Sequence, residues 1–249
     1  MAQRERESIY FISDIHFGLQ VEGEERLKLE KLELLFALIR EDGRALYMLG
    51  DILDYWMEFR HVIPKGFTRL FCLLGDLAAS GVDIVYVAGN HDFYLGEFFE
   101  RELGLKATLY GLNSFEYAGR TFLFAHGDGL GQGDVGYKAF ARLVRNRFNL
   151  GLFTAFHADL GVALMKKLSY LSRHHKPVDI PRESNRLLNF AESIAAEQEF
   201  DYFVCGHNHV EGVHQLRNGA CRYVNLGTWI DGRYPYGVFS HDEFLLKEL

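Results

Sequence analysis

Five times along this chain a short run of β-branched and aromatic residues stops, and a knot of aspartate, asparagine, histidine or glycine follows at once. Residues 9–12 lead into Ser13-Asp14-Ile15-His16-Phe17-Gly18, and residues 45–49 into Gly50-Asp51. Residues 83–87 lead into Ala88-Gly89-Asn90-His91-Asp92, residues 120–125 into His126-Gly127-Asp128, and residues 201–205 into Gly206-His207-Asn208-His209. Such runs read as buried strands. Between the first three lie segments of helical spacing: Leu27, Leu29, Leu32, Leu35, Phe36 and Ile39 within residues 24–39, then residues 67–80 with Gly81 as a stop signal. Strands alternating with covering helices predict an α/β fold. In such sheets ligands sit outside the carboxyl ends of the strands, so five polar strand ends point to one shared site.

The chain of 249 residues is 48% hydrophobic, enough for one full core, and no internal repeat or low-complexity linker divides it. A formal charge of −7 argues against a surface that tracks nucleic-acid phosphates, and no nucleic-acid partner is expected. Cys72, Cys205 and Cys221 are odd in number and form no C-x-x-C pair, so they are expected to be buried thiols in a reducing compartment. The charged N-terminus precedes an apolar run too short for a signal or a membrane span, which predicts a cytoplasmic location.

The chemistry of the strand ends can be read one step further. Asp14 and His16 lie two apart, the spacing that places side chains on one face of an extended segment. Gly50 allows a sharp turn into Asp51, while Asp54 fits either the edge of the site or a helix cap. Oxygen and nitrogen donors without thiolate suit Mn²⁺, Fe or Zn²⁺ better than Ca²⁺. One ion cannot use them all, so two divalent ions are expected. An acidic residue shared between two ions about 3.5–4 Å apart is the arrangement that activates water for in-line attack on phosphorus.

In this order Asp14-x-His16, Gly50-Asp51, Gly89-Asn90-His91-Asp92, His126-Gly127-Asp128 and Gly206-His207-x-His209 resemble the signature of the calcineurin-like metallophosphoesterases, over most of the chain. The resemblance implies two packed mixed β-sheets flanked by helices, here as a single domain over residues 1–249. It also implies that Asp14, His16, Asp51 and His209 hold one metal, and Asp51, Asn90, His126 and His207 the other. His91 would face the phosphoryl group, protonating the leaving oxygen or stabilising charge, with Asp92 orienting it.

Between His126 and His207 runs a segment with little strand character, read as a helical cap inserted at about residues 135–190. Its apolar residues, Leu152, Phe153 and Phe156 among them, exceed what one docked helix needs, and Arg142, Arg145, Arg147, Lys166, Lys167, Arg173 and Lys176 are interleaved. A greasy groove beside cations, or a surface resting on an anionic membrane, would suit an amphiphilic phosphate ester. With Asp134, Tyr137, Phe140 and Arg145 downstream of the His126 motif, and Leu226-Gly227-Thr228-Trp229 near the end, the chain is similar to the UDP-2,3-diacylglucosamine diphosphatases of lipid A synthesis. That resemblance implies release of UMP from a lipid-linked nucleotide sugar, Mn²⁺ as the metal, and peripheral contact with the inner membrane surface. It assigns substrate contacts to Asp134 and Tyr137, with Ser172, Arg173 and Lys176 as further cap candidates. His91 stands where many of those enzymes carry arginine. Another phosphoesterase substrate, or a scaffold that has kept the fold, are the alternatives the residues leave open.

Overall fold

The fold was obtained as a computed structural model. It describes the chain apart from residues 1–5, 109, 132–134, 156 and 175–179, and gives the backbone alone at 108, 135–137, 140, 144, 147, 171–174 and 180–185. Along β1 (Ser8–Ile12) every residue is buried, which requires cover on both faces of its sheet. Its neighbours are β2 (Gly43–Leu49), β3 (Asp83–Val87) and β4 (Lys106–Thr108), all parallel, reached through α1 (Glu22–Asp42), α2 (Thr68–Ala79) and the single-turn α3 (Phe98–Arg101). Two antiparallel strands from the end of the chain, β10 (Pro235–Ser240) and β11 (Glu243–Glu248), complete a sheet of order β11-β10-β1-β2-β3-β4.

A second sheet has order β5-β6-β7-β9-β8, from β5 (Asn113–Tyr117), β6 (Arg120–Phe124), β7 (Tyr202–Cys205), β8 (Gly212–Gln215) and β9 (Arg222–Asn225). Its central β6, β7 and β9 are parallel and its edges antiparallel. Between β6 and β7 come α4 (Val135–Val144), α5 (Arg147–Thr154), α6 (Ala158–His174) and α7 (Ile180–Ala195).

Period-two alternation decides the layers. Ile9, Phe11, Tyr47, Leu49, Val85 and Val87 meet Phe122, Phe124, Tyr202, Val204 and Val224 between the sheets. Phe115 stacks between Tyr47 and Phe122 with ring centroids 4.4 and 4.8 Å away. The opposite set, Tyr10, Ile12, Leu46, Met48, Ile84 and Tyr86, packs under Leu32, Leu35, Phe36 and Ile39 of α1 and Leu70, Leu74 and Leu77 of α2. On the far side Leu187, Ala191 and Ile194 of α7 cover Leu123, Phe203 and Cys205. The expected pair of mixed sheets flanked by helices is therefore what forms.

Two expectations are corrected by packing. Leu27 is 42% exposed, and the buried position on α1 goes to Lys28, which is 1% exposed. Cys205 and Cys221 are buried but Cys72 faces solvent, because the inward face of α2 is already filled by Leu70, Phe71 and Leu74.

Candidate metal centre

The parallel cores of the two sheets bring the carboxyl ends of β1, β2, β3, β6 and β7 together, and bonds across the interface lock them. His207 donates its amide to Asp14 Oδ2 at 3.0 Å, Trp229 donates its amide and Thr228 its hydroxyl to the Asp14 carbonyl, and the His126 Nδ1–H points at the Leu49 carbonyl 2.8 Å away. Asp14 and His16 do share a site, but not because the strand continues. β1 ends at Ile12, and both residues lie in the left-handed region, at φ 51° and 47°. Amide bonds from Asp14 to the Gly50 carbonyl and from His16 to the Asp51 carbonyl hold them there.

Asp51, His207 and His209 take the same conformation, at φ 53°, 71° and 60°. Each such residue costs about 1–3 kcal/mol, and strain gathered at one point marks a functional turn. Aspartate and histidine tolerate it better than most residues. Two glycines let the turns approach. A Cβ on Gly89 would fall on Asp51 Oδ1, and one on Gly206 on Asp14 Oδ2.

Seven predicted ligands are brought together in two overlapping groups. Around the first position, His209 Nε2 lies 3.2 Å and His16 Nε2 3.9 Å from Asp14 Oδ1, with Asp51 Oδ2 3.6 Å from His16 Nε2. Around the second, His126 Nε2 lies 3.1 Å from Asn90 Oδ1, 3.3 Å from His207 Nδ1 and 3.4 Å from the same Asp51 Oδ2. The other Asp51 oxygen accepts the His91 amide at 2.8 Å, which fixes the carboxylate between the groups. Asp14 Oδ1 and His16 Nε2 are buried without a hydrogen-bond partner among the described residues. Lone pairs converging with too few protons to share suit cations, and the residues fit two divalent metals.

The electrostatics agree. Burial would lower the His126 pKa, but the Asp51 carboxylate, then Asp14 and Asp128, outweigh it and hold the imidazole well above its usual range. The pocket thus draws positive charge, whether a proton on His126 or a cation that takes that proton's place. Burial, reinforced by His126, pushes His207 down to about 4, which keeps it neutral as a metal ligand must be. Burial likewise lowers His16.

Around the ligands stands a ring of supports. Asp54 Oδ1 lies 3.3 Å from His16 Nδ1, leaving the His16 Nε2 lone pair for a metal. Asp92 was expected to orient His91. Its carboxylate instead accepts the amides of Asp51, Ile52, Leu53 and Gly89 and the Tyr86 hydroxyl, so it builds the β2 and β3 turns. The His91 ring is met by the Asp54 carbonyl at 3.0 Å and Ser169 Oγ at 3.2 Å. Lys28 donates to the Ile15 and His16 carbonyls at 2.8 and 3.1 Å. Arg145 donates to Gly89 O and Asp128 Oδ2 and lies 3.5 Å over the Tyr110 ring. Lys28 and Ser169 were not read as functional. Lys28 interrupts an apolar helix face and Ser169 is a small polar residue among leucines, patterns that carry no chemistry by themselves.

Next to Asn90 and His91 a cavity of about 620 Å³ opens into the insertion, walled by Leu143, Leu150, Phe153, Leu164, Met165 and Leu168. Of the residues expected to line an acyl groove, Phe153 does, Leu152 is 53% exposed, and Phe156 lies outside the described residues. Asp134 and Lys176 also lie outside them. Tyr137 falls in α4 and Ser172 and Arg173 in α6, with side chains outside the description.

Residues 8–211 match the calcineurin-like phosphoesterase family. The chain is 33% identical to a UDP-2,3-diacylglucosamine hydrolase of Porphyromonas gingivalis over 98% of each protein. It is 31% identical to one of Neisseria gonorrhoeae, over 88% of this chain and 89% of that one. A solved archaeal phosphodiesterase, 15% identical, superposes with a TM-score of 0.50 over 97% of this chain and 99% of that one.

Proposed function

The chain belongs to the calcineurin-like phosphoesterase family, a metal-dependent hydrolase, and on that basis we propose that it cleaves the pyrophosphate of UDP-2,3-diacylglucosamine to UMP and the diacyl sugar 1-phosphate. The observation that carries this reading is the apolar cavity beside the metal ligands. Asn90 and His91 form its polar end, and the leucines, Met165 and Phe153 of α4, α5 and α6 its wall. A soluble nucleotide would leave that wall wet, whereas acyl chains would cover it, at roughly 25 cal/mol per Å² of apolar surface.

Asp14, His16, Asp51 and His209 would hold one divalent ion, and Asp51, Asn90, His126 and His207 the other, with Mn²⁺ as the proposed metal. When bound, such ions lower the pKa of water and withdraw charge from phosphoryl oxygens. The protein residues do the remainder. Asp51 is held in place by the His91 amide. The His91 Nδ1–H is directed at the Asp54 carbonyl, which reserves Nε2 for the phosphoryl oxygens or the departing group. Arg145, anchored on Asp128 and Tyr110 at the cavity wall, is placed to steady a second phosphate. Asp134, Tyr137, Ser172, Arg173 and Lys176 are proposed contacts to the sugar and phosphates.

Among the described residues no single helix is long and apolar enough to cross a membrane. Exposed Phe148, Leu152 and Leu160 on the insertion, with Lys166 and Lys167 nearby in sequence, support a cytoplasmic protein that rests on an anionic inner-membrane surface.

The test is UMP release from UDP-2,3-diacylglucosamine by Mn²⁺-loaded protein, with an analogue carrying short acyl groups alongside. Replacing Leu150, Phe153 and Leu168 together by serine should raise KM for the diacyl substrate about tenfold or more, and leave the analogue nearly unchanged. Absence of UMP, with intact activity on a generic phosphodiester, would keep the hydrolase and discard the substrate.

A further inference from the structure

The His91 ring is gripped from two directions, and one grip comes from the insertion. Ser169 lies on α6, one turn beyond Met165 and next to Leu168, and lines the cavity together with them. Its hydroxyl oxygen is 3.2 Å from His91 Nδ1 and donates to Asp54 Oδ2 at 2.8 Å. The direct separation between His91 Nδ1 and the Asp54 carboxylate is longer, 3.7 Å to Oδ1. That same Oδ1 faces His16 Nδ1 at 3.3 Å. One carboxylate therefore addresses a metal-ligating imidazole directly and the His91 imidazole through a serine 115 residues away in sequence. All three side chains are buried, at 4% exposure for Asp54, 7% for Ser169 and 9% for His91. Polar groups in such a place are costly unless they are hydrogen-bonded, and the bonds of Nδ1 to Ser169 and to the Asp54 carbonyl hold the His91 ring in one orientation.

We propose that Ser169 is a positioning residue through which the cap helix and the Asp54 carboxylate together set the ring of His91, so that the wall of the substrate cavity and the imidazole at the phosphoryl group form one mechanical unit. The proposal rests on His91 serving the reaction, as in the function proposed above, but not on which phosphate ester is the substrate. Its consequence is that seating the hydrophobic part of a substrate against α6 also seats the catalytic imidazole. Ser169 then acts on turnover even for a substrate that never touches the cap.

Three variants separate the hydroxyl from the space it fills. Ser169→Ala removes it, and Ser169→Thr and Ser169→Val add the same bulk with and without it. On bis(p-nitrophenyl) phosphate and on the UDP-diacyl sugar alike, Ala and Val should lower kcat by a common factor of about 10–100. KM should stay within about twofold, Thr should keep most of the activity, and elemental analysis should find the metal content unchanged. A rise in KM for the acylated substrate alone would make Ser169 a substrate contact and overturn the proposal. Equal activity of Thr and Val, or loss of metal in Ala, would overturn it too, the last because the serine would then be serving His16. If wild-type protein ignores the UDP-diacyl sugar but cleaves the diester, the substrate reading fails, and the diester arm still decides the role of Ser169.

Discussion

Lys28→Met is the substitution that most directly tests how the ligand turn is built. The wild-type ammonium is 1% exposed and donates to the Ile15 carbonyl at 2.8 Å and the His16 carbonyl at 3.1 Å, with Glu25 3.4 Å away. Burial lowers its pKa, and the Glu25 carboxylate opposes that shift. Methionine fills similar space but donates nothing. The His16 carbonyl keeps a second donor, the Leu19 amide at 3.2 Å, and Glu25 keeps the amides of Gly18 and Gln20. The main loss is therefore at the Ile15 carbonyl, where an unsatisfied buried acceptor costs about 1–3 kcal/mol, with a smaller share at His16. Relief from burying an ammonium offsets part of this, so a net destabilisation of about 2 kcal/mol is expected. For a chain of this size each kcal/mol is worth about 2–4 °C, so Tm should fall by roughly 4–8 °C. Because His16 sits at φ 47° on the released turn, affinity at the Asp14, His16, Asp51 and His209 position should fall as well, by about tenfold or more. Calorimetry in chelator isolates the folding term, and titration with a metal indicator isolates the binding term. A variant that melts within about 2 °C of wild type and binds both ions with wild-type affinity would refute the reasoning, because desolvation relief would then have cancelled the lost bonds.

Two further substitutions or probes examine other parts of the structure. Asp51→Asn keeps an oxygen to accept the His91 amide but removes the charge shared by both ligand groups, so bound metal should fall from about two ions per chain to one or fewer, and kcat by about a thousandfold or more. Two retained ions with near-normal turnover would contradict a bridging role. Of the three cysteines, Cys72 is exposed, Cys221 is buried, and burial pushes the Cys205 thiol up to about 12. A thiol titration with a disulfide reagent near pH 8 should therefore find one fast-reacting group per native chain and three after denaturation. Two or more fast groups in the native protein would mean that the β7 or β9 end opens readily.

The residues that gather at the candidate metal centre were legible because each lies within a few residues of a strand that announces itself by composition. Residues 9–12, 45–49 and 83–87 could be read as strands without any partner, and the polar residues after them had to lie at the same edge of a parallel sheet. The local geometry was less legible. Asp14 and His16 were expected to align by extended spacing, but they align through two left-handed turns paid for by bonds to Gly50 and Asp51. Asp92, adjacent to His91 in sequence, turns its carboxylate to the amides of the β2 turn, while Asp54 and Ser169, remote in sequence, take its expected place. Leu27 and Leu152 face solvent although their apolar character suggested burial.

The sequence by itself determined the polar residues at the strand ends, the positions along the chain of the strands that carry them and the class of fold, since strand character, turn residues and side-chain chemistry are properties of neighbours along the chain. Only the tertiary structure decided which atoms of those residues meet, that Lys28 rather than Leu27 is buried, and that Ser169 of α6 stands between the Asp54 carboxylate and His91. Those outcomes depend on which faces close-packed layers cover and on how buried polar groups find partners, and such pairings form between residues that no local pattern connects.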